Sequence, residues 1–243
     1  MNVCPGRIIE MGEKSAVVKF AENCVGCTQC TAVCPTRAIH AIKPAGAPED
    51  LPEPVPTEDF PDGEVFVPMK DIARHVAARR SVRKFKPEPP SREVLDEILQ
   101  ATRYSPTACN MRKIKYAVIA DPEHIKTLRE LCTKTFQAAR YIMPGPVVLL
   151  IINEVGKEWY EDAVIAATTF DLVARSVGVA STFAGILRRC IEQSEEVRKY
   201  LSEVCGIHGL DEHPVQALYL GYPAEEITYL RPAVREPAPV TWA

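Results

Sequence analysis

The chain has 243 residues, enough for one sizeable domain and a small one. Charged residues make up 25%, hydrophobic residues 47%, and the net charge is −3; these are ordinary values that give no footing for nucleic acid or an anionic membrane as partner. The longest strongly apolar stretch, VVLLII at residues 147–152, is too short to span a bilayer, and the start lacks a basic-then-apolar signal pattern, so the expected location is cytoplasmic.

Three zones follow one another. Residues 1–42 are cysteine-rich. Residues 43–63, KPAGAPEDLPEPVPTEDFPDG, are rich in proline and acid and read as a linker, because such a stretch cannot build a core. Residues 64–243 hold nearly all the apolar periodicity. There MKDIARHVAARR, residues 69–80, reads as a helix ending in a basic cluster. Ser91 can cap a helix whose apolar stripe is Val94, Leu95, Ile98 and Leu99, and that helix should stop before Pro106. KYAVIA, 115–120, reads as a strand. Pro122 suits the first turn of the helix PEHIKTLRELCTKTFQAA. VVLLIIN is a second strand. Residues 157–177 form a long apolar helix closed by Gly178, of the kind buried in a core or at a subunit interface. Ser194 caps EEVRKYLSEV, and PVQALYLG, 214–221, is a third main strand. Helices outnumber strands, which implies an α+β layered domain. The Pro- and Arg-rich tail has no periodicity.

Five of the nine cysteines lie within the first 34 residues; Cys109, Cys132, Cys190 and Cys205 are scattered, and most of them read as small buried side chains. CVGCTQCTAVCP, Cys24 to Pro35, is the Cys-x2-Cys-x2-Cys-x3-Cys-Pro run of bacterial-type ferredoxins, which hold a 4Fe-4S cluster. Zinc is the alternative, but it usually takes two separated Cys-x2-Cys pairs. A similar phrase opens the chain: CPGRII at Cys4 aligns with CPTRAI at Cys34. In two-cluster ferredoxins the fourth cysteine of each run ligates the other cluster. By that rule Cys4, not Cys34, completes the site of Cys24, Cys27 and Cys30, and Cys34 belongs to a second cluster whose other ligands would precede Met1. The zone then reads as a small, truncated ferredoxin-like domain. The alternative is that the repeat is coincidence.

AARRSVRKF, residues 77–85, puts Arg79, Arg80, Ser81 and Arg83 within five positions, a grouping that can bind phosphate or simply complement a helix end. SPTACN (105–110), GVASTFAG (178–185), LGYP (220–223) and YLRPAVREP follow. The ordered set resembles the nitroreductase family of FMN flavoproteins, and more narrowly its ferredoxin-fused members, over essentially the whole chain. The resemblance implies a nitroreductase-like FMN fold, with a central, mostly antiparallel sheet flanked by helices. It also implies an obligate homodimer with FMN at the subunit interface. It assigns Arg79, Ser81 and Arg83 to phosphate and ribityl oxygens, with Arg80 in the same loop and Arg235, joined by Arg231, reaching the phosphate from the tail. Pro106, Thr107 and Asn110 should approach the flavin from the second subunit. Thr182, Phe183, Ala184 and Gly185 should line its ring. Each has a plainer reading: Gly185 a turn, Asn110 a cap, Phe183 core.

One departure stands out. Many family members carry Gln-Pro-Trp after the Asn, where this chain has MRKIKY with Arg112 and Lys113, beside an unusual Cys109. That puts ordinary nitroaromatic specificity in doubt. No side chain is needed as acid or base; the flavin carries the chemistry. The implied enzyme reduces a small organic acceptor of nitro, quinone or enone type in a ping-pong cycle. Electrons would come through the cluster, from a ferredoxin-like donor, or from NAD(P)H docked on the flavin, since no G-x-G-x-x-G phrase marks a dinucleotide domain. A carrier or redox sensor, and a flavin enzyme with a vestigial cluster, are the rival readings.

Overall fold

The computed structural model describes residues 4, 6–24, 27, 29–34, 36, 38–39, 67–139, 145–156, 158–207, 212–225 and 237–242. Two compact units divide the chain: Met1–Phe66 with Pro106–Lys113, and Val67–Ser105 with Ile114–Ala243. The linker expected at 43–63 lies outside the described residues.

In the first unit, β1 (Ile9–Met11) pairs antiparallel with β2 (Ala16–Val18) around a tight turn in which the Gly12 N–H donates to the Ser15 carbonyl at 2.8 Å. A one-turn helix, α1 (Gln29–Ala32), follows. Ile8 and Ile9 are the buried apolar side chains among its described residues.

The second unit is a four-stranded antiparallel sheet covered on both faces. Its strands are β3 (Lys115–Ile119), β4 (Val147–Glu154), β5 (Ala180–Phe183) and β6 (Glu212–Gly221), in the order β3-β4-β6-β5. The helices are α2 (Met69–Ala78), α3 (Arg92–Thr102), α4 (Pro122–Thr135), α5 (Trp159–Ser176), α6 (Gly185–Gln193) and α7 (Glu195–Cys205). Residues Val147 to Ile152 are buried without interruption because both faces of β4 meet helices. Val148, Leu150, Ala217 and Tyr219 pack with side chains of α4, α6 and α7. Leu149, Ile151, Leu218 and Leu220 face α3 and α5, where Ala163, Ala166, Ala167 and Ala174 let the long helix lie close to the sheet.

The expected helix starts hold. Ser91 Oγ accepts from the Val94 N–H at 3.4 Å and Ser194 Oγ from the Val197 N–H at 3.3 Å. Asp121 Oδ1 accepts from the Glu123 N–H at 2.8 Å, with Pro122 in the first turn. Two elements of the second unit were not foreseen: β5, which ends two residues before Gly185, and α6, which Gly185 opens. Four residues are too few for a strand's alternation to stand out, and the Leu187, Cys190, Ile191 stripe of α6 begins directly behind it. Of the scattered cysteines, Cys132 and Cys190 are buried and Cys205 is half-buried, but Cys109 is exposed. Burial raises the Cys132 thiol, with Cys190 adding to it, and raises the Cys190 thiol as well.

Candidate functional site

The cysteine-rich loop comes first. Cys24 is exposed, Cys27 half-buried, and Cys30 half-buried on α1. The Cys4 turn is closed by the Arg7 N–H donating to the Cys4 carbonyl at 3.0 Å. A Cβ on Gly6 would lie 2.8 Å from the Asn23 carbonyl oxygen, so the absence of a side chain lets this turn lie against the residue preceding Cys24. The turn that follows Cys4 therefore packs beside the residue that precedes Cys24. Among the described residues no three Cys, His, Asp or Glu side chains converge closely enough to hold a single metal ion. A zinc cage needs thiolates about 2.3 Å from one centre. A four-iron cubane takes its cysteines at separate corners, and the sequence spacing of Cys24, Cys27 and Cys30 suits three of them. Cys34 follows two residues beyond the end of α1. Its thiol lies 3.6 Å from Thr36 Oγ1, and that hydrogen bond, with backbone N–H groups of the same turn, holds its pKa below the ordinary thiol value.

Residues 106–113 join this unit. Asn110 donates its amide Nδ2–H to the Cys27 carbonyl at 3.0 Å. Thr107 Oγ1 accepts from the Arg112 N–H at 3.1 Å, and Arg112 Nε donates to the Asn110 carbonyl at 3.2 Å. Cys109, Asn110 and Arg112 all have positive φ, at 50°, 55° and 53°. Pro106 is exposed and Thr107 half-buried.

In the second unit a cavity of about 300 Å³ is lined by Arg83, residues 182–186, Arg189 and Tyr219. So Arg83 meets Thr182, Phe183, Ala184 and Gly185, residues a hundred positions away in sequence. They meet because the Val82 N–H donates to the Ser181 carbonyl at 3.0 Å, laying the 79–83 stretch beside β5. Gly185 opens α6, whose first-turn N–H groups have no intrahelical acceptor. With Arg83 and Arg189, that helix start makes the cavity electropositive. The Ala184 N–H is already given to the Ala217 carbonyl at 2.8 Å. No atom lies within 4 Å of a Cβ built on Gly185, and its backbone is not left-handed. Nothing in the described chain therefore requires glycine there. Tyr219 is 2% exposed, and its hydroxyl has no hydrogen-bond partner among the described residues; burial pushes its phenol pKa up.

A second cavity of about 210 Å³ is lined by Arg79, Arg80, Asp171, Arg175, Ser181 and neighbours. Arg79 Nη1 lies 3.8 Å from Asp171 Oδ2. Ser181 Oγ donates to Asp171 Oδ1. Burial pushes the Asp171 carboxyl above its ordinary value, while Ser181, Arg79, Arg175 and His75 pull it back. Arg80 Nη1 donates to the Ala77 and Arg79 carbonyls, closing the end of α2. Ser81 is half-buried, and its carbonyl accepts from Arg83 Nη1 at 3.4 Å. Arg231 and Arg235 lie outside the described residues. Sequence reasoning missed Arg189, Tyr219, Asp171 and Arg175. Arg189 lies one helical turn beyond Gly185, in a helix that was not foreseen, and Asp171 was readable as the one acid beyond the first turn of an apolar helix.

Residues 76–148 match the Nitroreductase family, and residues 17–40 match the 4Fe-4S binding domain. A protein of Methanothermobacter thermautotrophicus, provisionally named NADH dehydrogenase/NAD(P)H nitroreductase, is 26% identical over 171 residues, 68% of this chain and 82% of that protein. The FMN reductase [NAD(P)H] of Bacillus subtilis is 22% identical over 180 residues, 65% of this chain and 68% of its own. The crystal structure of a nitroreductase with bound FMN from Bacteroides fragilis superposes with a TM-score of 0.62 at 21% identity, covering 71% of this chain and 99% of that one. The fold is therefore the α+β nitroreductase fold, with an antiparallel sheet between helices.

Proposed function

We propose that this chain is a nitroreductase-family oxidoreductase with a 4Fe-4S binding domain ahead of its catalytic domain, and that it uses FMN to reduce a small organic acceptor of nitro, quinone or enone type. The observation that carries this reading is the cavity in which Arg83, the start of α6 and Arg189 surround open space at Gly185. An electropositive pocket beside a backbone that carries no side chain suits a planar, anionic group.

In this reading Arg83, residues 182–185 and Arg189 hold the flavin, and Arg79 and Ser81 hold its phosphate, with Arg80 beside them. Arg231 and Arg235 add donors from the tail. Pro106 and Thr107 complete the flavin edge from a second copy of the chain. Bound FMN supplies hydride and single-electron transfer, and a 4Fe-4S cluster on Cys4, Cys24, Cys27 and Cys30 supplies single electrons. The chain's own part is electrostatic: fixed cations favour the charge that reduction adds. Electrons enter from the cluster, supplied by a ferredoxin-like donor, or from NAD(P)H.

A homodimer accounts for α2. This ten-residue helix buries none of its side chains, and Met69, Ile72 and Val76 form an exposed i, i+3, i+7 stripe. A helix so short is marginal alone. His75 Nε2 donates to the Leu172 carbonyl at 2.8 Å and anchors one side, leaving the apolar stripe for a second copy. The acceptor is expected to be acidic or neutral, given Arg112 and Lys113.

Anaerobic protein should retain stoichiometric FMN and run as a dimer in light scattering. In stopped flow with a low-potential one-electron donor, visible cluster bleaching should precede flavin reduction. Rapid reduction by NADH with no cluster change assigns the other entry route. Protein that binds no flavin, or that turns over no acceptor when reduced, ends the reading.

A further inference from the structure

We propose that Asn110 is a positioning residue of the iron-sulfur loop of its own chain, an inference that rests on the cluster reading above. Its amide donates to the backbone carbonyl of Cys27, the middle cysteine of the three-cysteine loop, across 83 positions of sequence. The sequence resemblance expects this residue at a flavin edge.

The segment around it is built to hold that amide in place. Cys109, Asn110 and Arg112 occupy the left-handed region within four positions, and none is glycine. Such residues are costly and persist only where their surroundings fix them. Three bonds do so here: the Arg112 N–H to Thr107 Oγ1, Arg112 Nε to the Asn110 carbonyl, and the Asn110 N–H to the Thr107 carbonyl at 2.9 Å. Arg112, the residue that departs from the usual family phrase, thereby holds the turn that presents Asn110. Ser105 and Ile114, on either side, belong to the flavin domain, while Pro106–Lys113 clusters with the cysteine unit.

The cysteine unit also needs such a clamp. Among its described residues it buries only Ile8 and Ile9 as apolar side chains. A loop without a core behind it is ordered by its ligand and by hydrogen bonds. One fixed carbonyl between Cys24 and Cys30 restricts the loop before any iron arrives.

Asn110→Asp removes the donor at nearly constant shape, Asn110→Ala removes it entirely, and Asn110→Gln keeps it. Iron-free protein is labelled with iodoacetamide and read cysteine by cysteine. Cys24, Cys27 and Cys30 should label about fivefold faster in Asn110→Asp and Asn110→Ala, the factor expected for one lost neutral hydrogen bond. Asn110→Gln should restore slow labelling. After reconstitution with ferrous iron and sulfide, both donor-free variants should carry less iron per chain. The residual cluster of Asn110→Asp should have a lower potential, since added negative charge opposes an added electron. Wild-type labelling rates and iron content in the two donor-free variants overturn the inference, as does loss of FMN with unchanged labelling, which places Asn110 at the flavin. If the natural chain takes up no iron and sulfide while the variants still label faster, the cluster reading fails and the positioning role stands.

Discussion

The two units reach order by opposite routes. The larger unit hides a sheet between two apolar layers, so that Leu149, Leu150, Leu218 and Leu220 are fully buried. The cysteine unit leaves Met11, Val18 and Phe20 more than half exposed and holds itself by turns, a short hairpin and side-chain clamps. Its exposed Lys19–Glu10 pair at 2.7 Å adds little, because water screens it. On this contrast the first region is expected to stay folded without a ligand and the second, with little core among its described residues, to depend on one.

The largest effect that tests this contrast lies in the sheet. Leu218→Ala removes a fully buried side chain and should cost about 2–5 kcal/mol, lowering the melting temperature by roughly 5–15 °C in calorimetry. Iron chelation should leave that transition in place while abolishing amide protection between residues 4 and 39. A single transition that shifts with both treatments would show that the units are not thermodynamically separate.

Gly6→Ala is next. Its new Cβ would stand 2.8 Å from a backbone oxygen, which cannot swing away as a side-chain tip can. Overpacking of this kind costs about 1–3 kcal/mol. The expected loss appears in iron and sulfide content, because the Cys4 turn is pushed from Asn23, and the main melting transition stays put. Full cluster loading in Gly6→Ala would remove Cys4 from the ligand set.

The contrast also governs what could be read in advance. Strands β3, β4 and β6 and the capped helices were legible because burial imposes periodicity and caps leave fixed residue types. The cysteine run was legible because ligand spacing is local. The pairing of Arg79 with Asp171 was not, since it joins two elements through tertiary packing. Nor were the positive φ angles at Cys109, Asn110 and Arg112, because nothing in those side chains demands them. The candidate site was half visible: Arg83 and the 182–185 stretch could be named, while Arg189 and Tyr219 emerged only when α6 and β6 were placed beside them.

Asp171→Asn should have a smaller effect, within about 1 kcal/mol at neutral pH, because burial and pairing with Arg79 oppose each other. Its signature is the pH dependence. Burial raises the folded-state pKa above the unfolded one, so the folded protein holds the proton more tightly in the window just above the ordinary carboxylate range. The contribution of Asp171 to stability is therefore fully present below its unfolded pKa and is lost as pH rises through its folded pKa. Urea unfolding at a series of pH values, wild type minus Asp171→Asn, should show the difference growing as pH falls. A difference that shrinks on acidification would mean that the Arg79 pair outweighs burial.

Gly185→Ala should have the least effect on stability and is the sharpest test of the cavity. Nothing lies within 4 Å of the added methyl, and alanine is favoured over glycine at a helical position with negative φ. The flavin-free protein should melt unchanged or slightly higher. If the open space at Gly185 is kept for the flavin ring, the same methyl should weaken FMN binding at least several-fold in a fluorescence titration. Stability and affinity then move in opposite directions, which a purely structural glycine cannot produce. Unchanged FMN affinity in Gly185→Ala would return Gly185 to the plainer reading of a turn residue and leave Arg83 and Arg189 without a ligand between them.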